Sequence, residues 1–198
     1  MRTIFPNLPN LLTFSRIGAI PLVVATFYLP AGGYANWTAW ALFTLAGITD
    51  WLDGHVARRW QQHSELGRFL DPIADKLLVV AALFMLVAYQ RVSQWSILPG
   101  LIILSREILV SGLREFLAGL RVSVPVSRLA KWKTGIQMTA IGVLLVGDAG
   151  PDFLMVQETG EALLWIAAIL TLMTGYDYLR AGLPHMREVP QQAPAERA

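Results

Sequence analysis

The sequence predicts an all-α integral membrane protein with six transmembrane helices, both termini in the cytoplasm and a short N-terminal interfacial segment. Of its 198 residues, 55% are hydrophobic and only 15% are charged, whereas a soluble domain carries about 25% charged residues. Several apolar runs reach or approach the ~20 residues that a helix needs to cross a bilayer. The basic residues of the loops and ends fall on one side, with only Arg91 on the other, which places the termini in the cytoplasm by the positive-inside rule.

The chain divides into one membrane domain, residues 1–183, and a polar C-terminal tail, residues 184–198, that we expect to be disordered. The predicted helices cover about residues 10–28, 36–59, 67–89, 94–118, 127–146 and 158–179. Pro72 leaves a second possible start for the third helix, at Pro72 itself with Asp71 as its cap. A cleaved signal peptide is an alternative for the first apolar run, but its basic region would be unusually long and would include Arg16.

Four aspartates stand out in the stretch 49–76, which comprises the end of the second predicted helix, the turn after it and the start of the third. Asp50 and Asp53 are three residues apart, and Asp71 and Asp75 are four apart. If both segments are helical, each pair lies on one helix face. The same faces carry residues with little or no side chain, namely Gly54, Ala57 and Gly67. Such faces suit a site that holds cations and lets a bulky ligand approach the backbone.

Depth in the membrane favours a functional role for these carboxylates. Asp50 follows Trp37 by 13 residues, which is about 20 Å along a helix and leaves Asp50 ~10 Å below the cytoplasmic face of a ~30 Å core. Four buried carboxylates repel one another unless cations compensate them, and hard oxygen ligands suit Mg²⁺ or Mn²⁺. Two ions about 3.5–4 Å apart would serve phosphoryl chemistry. The structural alternative pairs the aspartates with nearby basic residues: Arg58, Arg59, Arg68 and Lys76.

The pattern D-x-x-D-G-x-x-A-R-x8-G-x-x-x-D-x-x-x-D resembles the signature of the CDP-alcohol phosphatidyltransferase family, and the chain matches all eight defined positions. The resemblance implies that Asp50, Asp53 and Asp71 are metal ligands for two Mg²⁺ or Mn²⁺ ions. It implies that Asp75 touches a metal and acts as the general base. The residues implied to line the CDP site are Gly54, Ala57, Arg58 and Gly67.

Three further segments resemble the phosphatidylglycerophosphate synthase branch of this family: NLPNLLTFSR near the N-terminus, SREILVSGLRE at 105–115 and VSRLAKWKTGIQM at 126–138. The branch transfers the phosphatidyl group of CDP-diacylglycerol to the 1-hydroxyl of glycerol 3-phosphate and releases CMP. The resemblance therefore implies phospholipid biosynthesis in the inner cell membrane, with a multi-pass chain and an active site facing the cytoplasm. It also implies a homodimer, for which the apolar third and fourth helices could form the interface.

Two other readings remain open at this point. Within the family, the acceptor could be phosphatidylglycerol, inositol phosphate or serine. In a different functional class, a cation channel or carrier would explain the aspartates but not Gly54, Ala57 and Arg58 at fixed spacing. No feature indicates nucleic-acid binding, because the basic residues are spread along one membrane face.

An acceptor that carries a phosphate needs cations. The candidates are Arg106, Arg114, Lys131 and Lys133, of which we expect at least two to bind the phosphate. Arg106 is predicted at mid-membrane, where a lone charge needs a partner or a polar cavity. Glu107 and Glu115, on the same helix, are not expected to face it. Arg16 on the first helix either reaches the aspartates or forms a structural pair.

Overall fold

A computed structural model describes residues 8–30, 32–60, 65–119 and 128–187, and the side chains of 13–30, 32–49, 70, 72–119 and 129–184. The described chain is helical, without strands. Its six α-helices are α1 (Leu8–Thr26), α2 (Gly33–Trp60), α3 (Glu65–Ala88), α4 (Ile97–Gly119), α5 (Arg128–Val146) and α6 (Val156–Arg187). Three single 3₁₀ turns accompany them, at Gln94–Ser96, Gly147–Ala149 and Asp152–Leu154. The predicted all-helical class and the order of six helices are confirmed.

Two helix ends differ from prediction because proline is tolerated inside both helices. α3 begins at Glu65 and includes Pro72, so the alternative start with Asp71 as a cap is wrong. Pro72 removes one backbone donor, but the helix continues across it. α6 continues through Pro184 to Arg187, past its predicted end and into the first four residues of the predicted tail. A Cβ at Gly182 would lie 3.1 Å from atoms of Leu113, so packing against α4 supports this extension.

Within the described residues, two segments are long and apolar enough to cross a membrane, Gln94–Gly119 and Asp152–Pro184, and Thr13–Thr26 is a shorter apolar helix. α2 and α3 carry the charged residues of the 49–76 stretch, which lowers their mean hydropathy. The structure therefore supports an apolar helical bundle, and the number of spans stays a prediction.

The bundle places α1 against both α2 and α3, and α6 against both α4 and α5, while α2 packs on α5 and joins the two groups. Gly160 lets α6 approach Leu144 of α5, since a Cβ there would come within 2.6 Å of that side chain. The largest fully buried apolar side chains are Val23, Phe43, Leu78, Leu86, Ile103, Leu117, Ile141, Leu144, Leu145 and Leu164.

Polar contacts fix the turns at the end of the bundle opposite the 49–76 stretch. Arg91 donates to Asn36 Oδ1 at 2.5 Å and to the Leu145 carbonyl at 2.9 Å. Burial lowers the pKa of Arg91, and the charge of Asp148 opposes that shift. Gly147, with φ of 48°, ends α5 in the left-handed region that favours glycine. These contacts hold the helices in register far from the aspartates.

Candidate active site

The aspartates lie on two continuous helices, as predicted. α2 contains Asp50 and Asp53, and α3 contains Asp71 and Asp75. Helical geometry keeps each pair on one face. Of the four, only Asp75 has a described side chain. The other predicted ligands and CDP-site residues lie outside the described side chains: Asp50, Asp53, Asp71, Gly54, Ala57, Arg58 and Gly67.

Arg16 reaches the aspartate region and pairs with a carboxylate there. Its Nη1 donates to Asp75 Oδ1 at 2.6 Å, and the two sides of the pair differ in exposure, 1% for Arg16 and 43% for Asp75. The sequence predicts that Arg16 either reaches the aspartates or forms a structural pair. It does both, because its partner is itself a predicted site residue. A buried arginine orients Asp75 while leaving that carboxylate accessible.

The residue next to Asp75 is tied to a different helix. Lys76 Nζ contacts the Ser111 hydroxyl of α4, whereas Asp75 is tied to α1. Because successive helical residues point about 100° apart, α3 holds one contact on its site-bearing face and another about 100° around the helix.

A cluster of two cations and one carboxylate joins α4 to α5. Glu107 Oε1 contacts Lys133 Nζ and lies 3.4 Å from Arg106 Nη1. The prediction that Glu107 does not face Arg106 is wrong, because Lys133 from the neighbouring helix draws the carboxylate into the gap between the helices. Two predicted acceptor-site residues, Arg106 and Lys133, are thus brought together.

Arg106 is held by contacts of its own with α6. Its Nη2 donates to Thr174 Oγ1 at 3.1 Å, and its guanidinium carbon lies 5.8 Å from the centroid of the Tyr178 ring. Gly175 gives it room, because a Cβ there would come within 3.0 Å of Arg106 Cγ. Among the described residues, the buried Nε of Arg106 has no hydrogen-bond partner. The guanidinium therefore keeps a donor for a further acceptor atom.

The other two candidates, Arg114 and Lys131, are exposed and do not join this cluster. Lys131 precedes Lys133 by two residues, so its side chain leaves α5 in a different direction. No described hydrogen bond or ion pair links either residue to Arg106, although the charges of Arg114 and Arg106 repel each other. The structure thus separates the four predicted cations into a buried pair and an exposed pair.

Comparison with known proteins agrees with these features. The family model of CDP-alcohol phosphatidyltransferase matches residues 6–173. The chain belongs to the CDP-alcohol phosphatidyltransferase family. A transferase of Rickettsia bellii named CDP-diacylglycerol–glycerol-3-phosphate 3-phosphatidyltransferase is 50% identical over 175 residues, covering 88% of this chain and 94% of the relative. Proteins of the same name are 39% identical over 216 residues in Cereibacter sphaeroides (92% and 98% covered) and 44% over 176 residues in Haemophilus influenzae (88% and 92%).

Family membership and the two apolar segments together indicate that this transferase associates with membranes. An apolar groove of about 430 Å³ opens between α2 and α5 of the transferase. Gly47 and Gly142 keep it open on the two helices, and Trp40 lines it seven residues before Gly47. The last residue of α2 that lines the groove is Ile48, two residues before Asp50 in the sequence.

Sequence reasoning missed several polar groups of the transferase that face the α4–α5–α6 interior. Gln137 Oε1 and Thr171 Oγ1 are buried without a hydrogen-bond partner among the described residues. Gln137 lies one helical turn from Lys133, and Thr171 lies three residues before Thr174, so each shares a face with a residue of the cluster. That spacing, a polar residue repeated on one face of an apolar helix, is the signal that could have found them.

Proposed function

We propose that this transferase moves the phosphatidyl group of CDP-diacylglycerol to the 1-hydroxyl of glycerol 3-phosphate, forming phosphatidylglycerophosphate and CMP. The relatives named for this reaction, which align with most of the chain, support the reaction. The choice of acceptor rests on one structural observation: Arg106 and Lys133 are buried close to each other. Two neighbouring cations suit the phosphate group of glycerol 3-phosphate.

We assign the metal site to the carboxylates of the 49–76 stretch. The donor set fits, because α2 and α3 are helical throughout and each carries two aspartates, three residues apart in α2 and four apart in α3. Asp50, Asp53, Asp71 and Asp75 would hold two Mg²⁺ or Mn²⁺ ions, which when bound neutralise charge on the pyrophosphate. The CDP group would lie against Gly54, Ala57, Arg58 and Gly67.

Asp75 is proposed to take the proton from the 1-hydroxyl of the acceptor. The hydroxyl oxygen then bonds to the lipid-side phosphorus, and the bond from that phosphorus to the oxygen of CMP breaks. Arg16 orients the Asp75 carboxylate through its 2.6 Å contact. The acceptor phosphate would bind Arg106 and Lys133, with Arg114 and Lys131 nearer the entrance.

The lipid is proposed to reach this site sideways from the bilayer, with an acyl chain in the groove between α2 and α5. The groove is open and mostly apolar, and its lining residues on α2 come within one helical turn of Asp50 along the chain. From Trp40 to Ile48 it runs about 12 Å along the helix at ~1.5 Å per residue, so it accommodates a large part of an acyl chain.

We further propose six spans in the inner cell membrane, with both termini and the active site on the cytoplasmic side. The charge asymmetry of the loops supports this orientation. A homodimer through α3 and α4 stays a prediction; both helices present large apolar side chains outward, including Phe84, Leu101, Ile108 and Phe116.

The acceptor is tested by CMP release from CDP-diacylglycerol with purified protein and Mg²⁺, comparing glycerol 3-phosphate, inositol phosphate, serine and phosphatidylglycerol. We expect release with glycerol 3-phosphate alone, because only this panel member belongs to the named reaction of the relatives. Release with another acceptor would refute the assignment of glycerol 3-phosphate as the acceptor. No release with any acceptor would favour the alternative of a cation channel or carrier.

The groove is tested by Gly142→Leu, which adds bulk facing Trp40. A Cβ at Gly142 would lie 3.6 Å from the Trp40 ring, an ordinary contact, and the rest of the leucine side chain would fill the groove beside that ring. We expect the KM for long-chain CDP-diacylglycerol to rise about tenfold, which corresponds to about 1.4 kcal/mol, with less effect on a short-chain analogue. Gly112→Leu on α4, where a Cβ meets nothing within 4 Å, is the control. Equal increases in KM for the long-chain and short-chain substrates would refute the proposal that an acyl chain binds in this groove.

A further inference from the structure

The most accessible member of the α4–α5 cluster is its carboxylate. Glu107 is 23% exposed, whereas the cations that it contacts, Lys133 and Arg106, are 4% and 11% exposed. Glu107 therefore lies on the outer side of two buried cations, where an arriving anion would meet it first.

We propose that Glu107 competes with the acceptor phosphate for Lys133 and is displaced when the acceptor binds. This inference rests on the proposed function. A phosphate monoester carries about −1.5 to −2 charges at pH 7, and like charges repel strongly in a site shielded from water. A carboxylate and a phosphate that both contact Lys133 would repel each other, so binding of one disfavours the other.

Displacement of Glu107 leaves the rest of the pocket in place. Arg106 keeps its hydrogen bond to Thr174 and its contact with the Tyr178 ring, neither of which involves Glu107. The buried Nε of Arg106, which has no hydrogen-bond partner among the described residues, is not affected by the displacement. When no acceptor is bound, Glu107 compensates two buried cations that would otherwise repel each other. The carboxylate thus stabilises the empty pocket and lowers its affinity for the acceptor.

The test is Glu107→Gln in the full-length protein, assayed with saturating CDP-diacylglycerol and Mg²⁺. We expect the KM for glycerol 3-phosphate to fall about tenfold, because the competing charge is gone while size is kept; inhibition by inorganic phosphate should strengthen by a similar factor. Glu115→Gln, the same change two turns further along α4 at an exposed position, should leave both values unchanged.

A KM that is unchanged or higher in Glu107→Gln would overturn the proposal, since Glu107 would then be structural or would position Lys133 for binding. If that variant does not fold, Glu107→Asp decides: the shorter carboxylate reaches Lys133 less well, so the KM should still fall, and an unchanged or raised KM again refutes competition. Failure of the proposed function looks different, because the unsubstituted protein would then release no CMP with glycerol 3-phosphate.

Discussion

Asp75→Asn should abolish CMP release and largely preserve binding of CDP-diacylglycerol. The amide has nearly the same size as the carboxylate but cannot take the proton from the acceptor hydroxyl. General bases contribute about 10²- to 10⁴-fold to rate, so turnover should fall at least about 100-fold. Turnover is measured as CMP release, and binding by equilibrium titration with the CDP-lipid.

The matched control is Asp177→Asn on α6, which makes the same chemical change at an exposed residue. It should keep full activity. If Asp75→Asn also retains full turnover, Asp75 is not the base and its contact with Arg16 is structural. Loss of lipid binding together with turnover would assign Asp75 to metal or nucleotide binding alone.

Arg106→Gln should raise the KM for glycerol 3-phosphate about 100-fold without changing the KM for CDP-diacylglycerol. Truncating one member of a buried, hydrogen-bonded charge pair costs about 2–5 kcal/mol, and the loss should appear with the acceptor because Arg106 is assigned to the acceptor phosphate and not to the CDP group. The remaining Glu107 and Lys133 form a neutral pair, so the variant leaves no uncompensated charge in the interior.

Arg180→Gln, an exposed arginine on α6, controls for loss of one positive charge. Arg114→Gln should have a smaller effect than Arg106→Gln, because Arg114 is exposed and lies outside the cluster. Equal effects of Arg106→Gln and Arg180→Gln would exclude Arg106 from the acceptor site. A change in the KM for CDP-diacylglycerol alone would indicate that Arg106 binds the CDP group and not the acceptor phosphate.

The positions of the helices could be predicted because each apolar run ends at a clear local signal. Proline and glycine separate the first two runs, and charged residues separate the next two. The failures lie where packing overrides such signals. α6 crosses Pro184 because Gly182 packs closely against α4, and no property of residues 180–187 taken alone predicts that contact.

The aspartate motif could be identified from the sequence because all its residues lie within two adjacent segments, and its role as a metal and CDP site stays a prediction. The acceptor cluster could be predicted only in part. Arg106 and Lys133 could be chosen for their charge, but Glu107 could not, since its partner Lys133 lies 26 residues away on another helix. Periodicity identifies residues that share a helix face; it does not show which neighbouring helix that face meets.

The two ties on α3 have a mechanical consequence. Adjacent residues, Asp75 and Lys76, contact different helices, through Arg16 of α1 and Ser111 of α4, in directions about 100° apart. Turning α3 about its axis in either direction would lengthen at least one of these two contacts, so together they resist rotation of the helix. The orientation of the Asp71–Asp75 face is therefore constrained by two directional polar contacts in addition to the apolar packing of α3 in the core, which has no directional preference of its own.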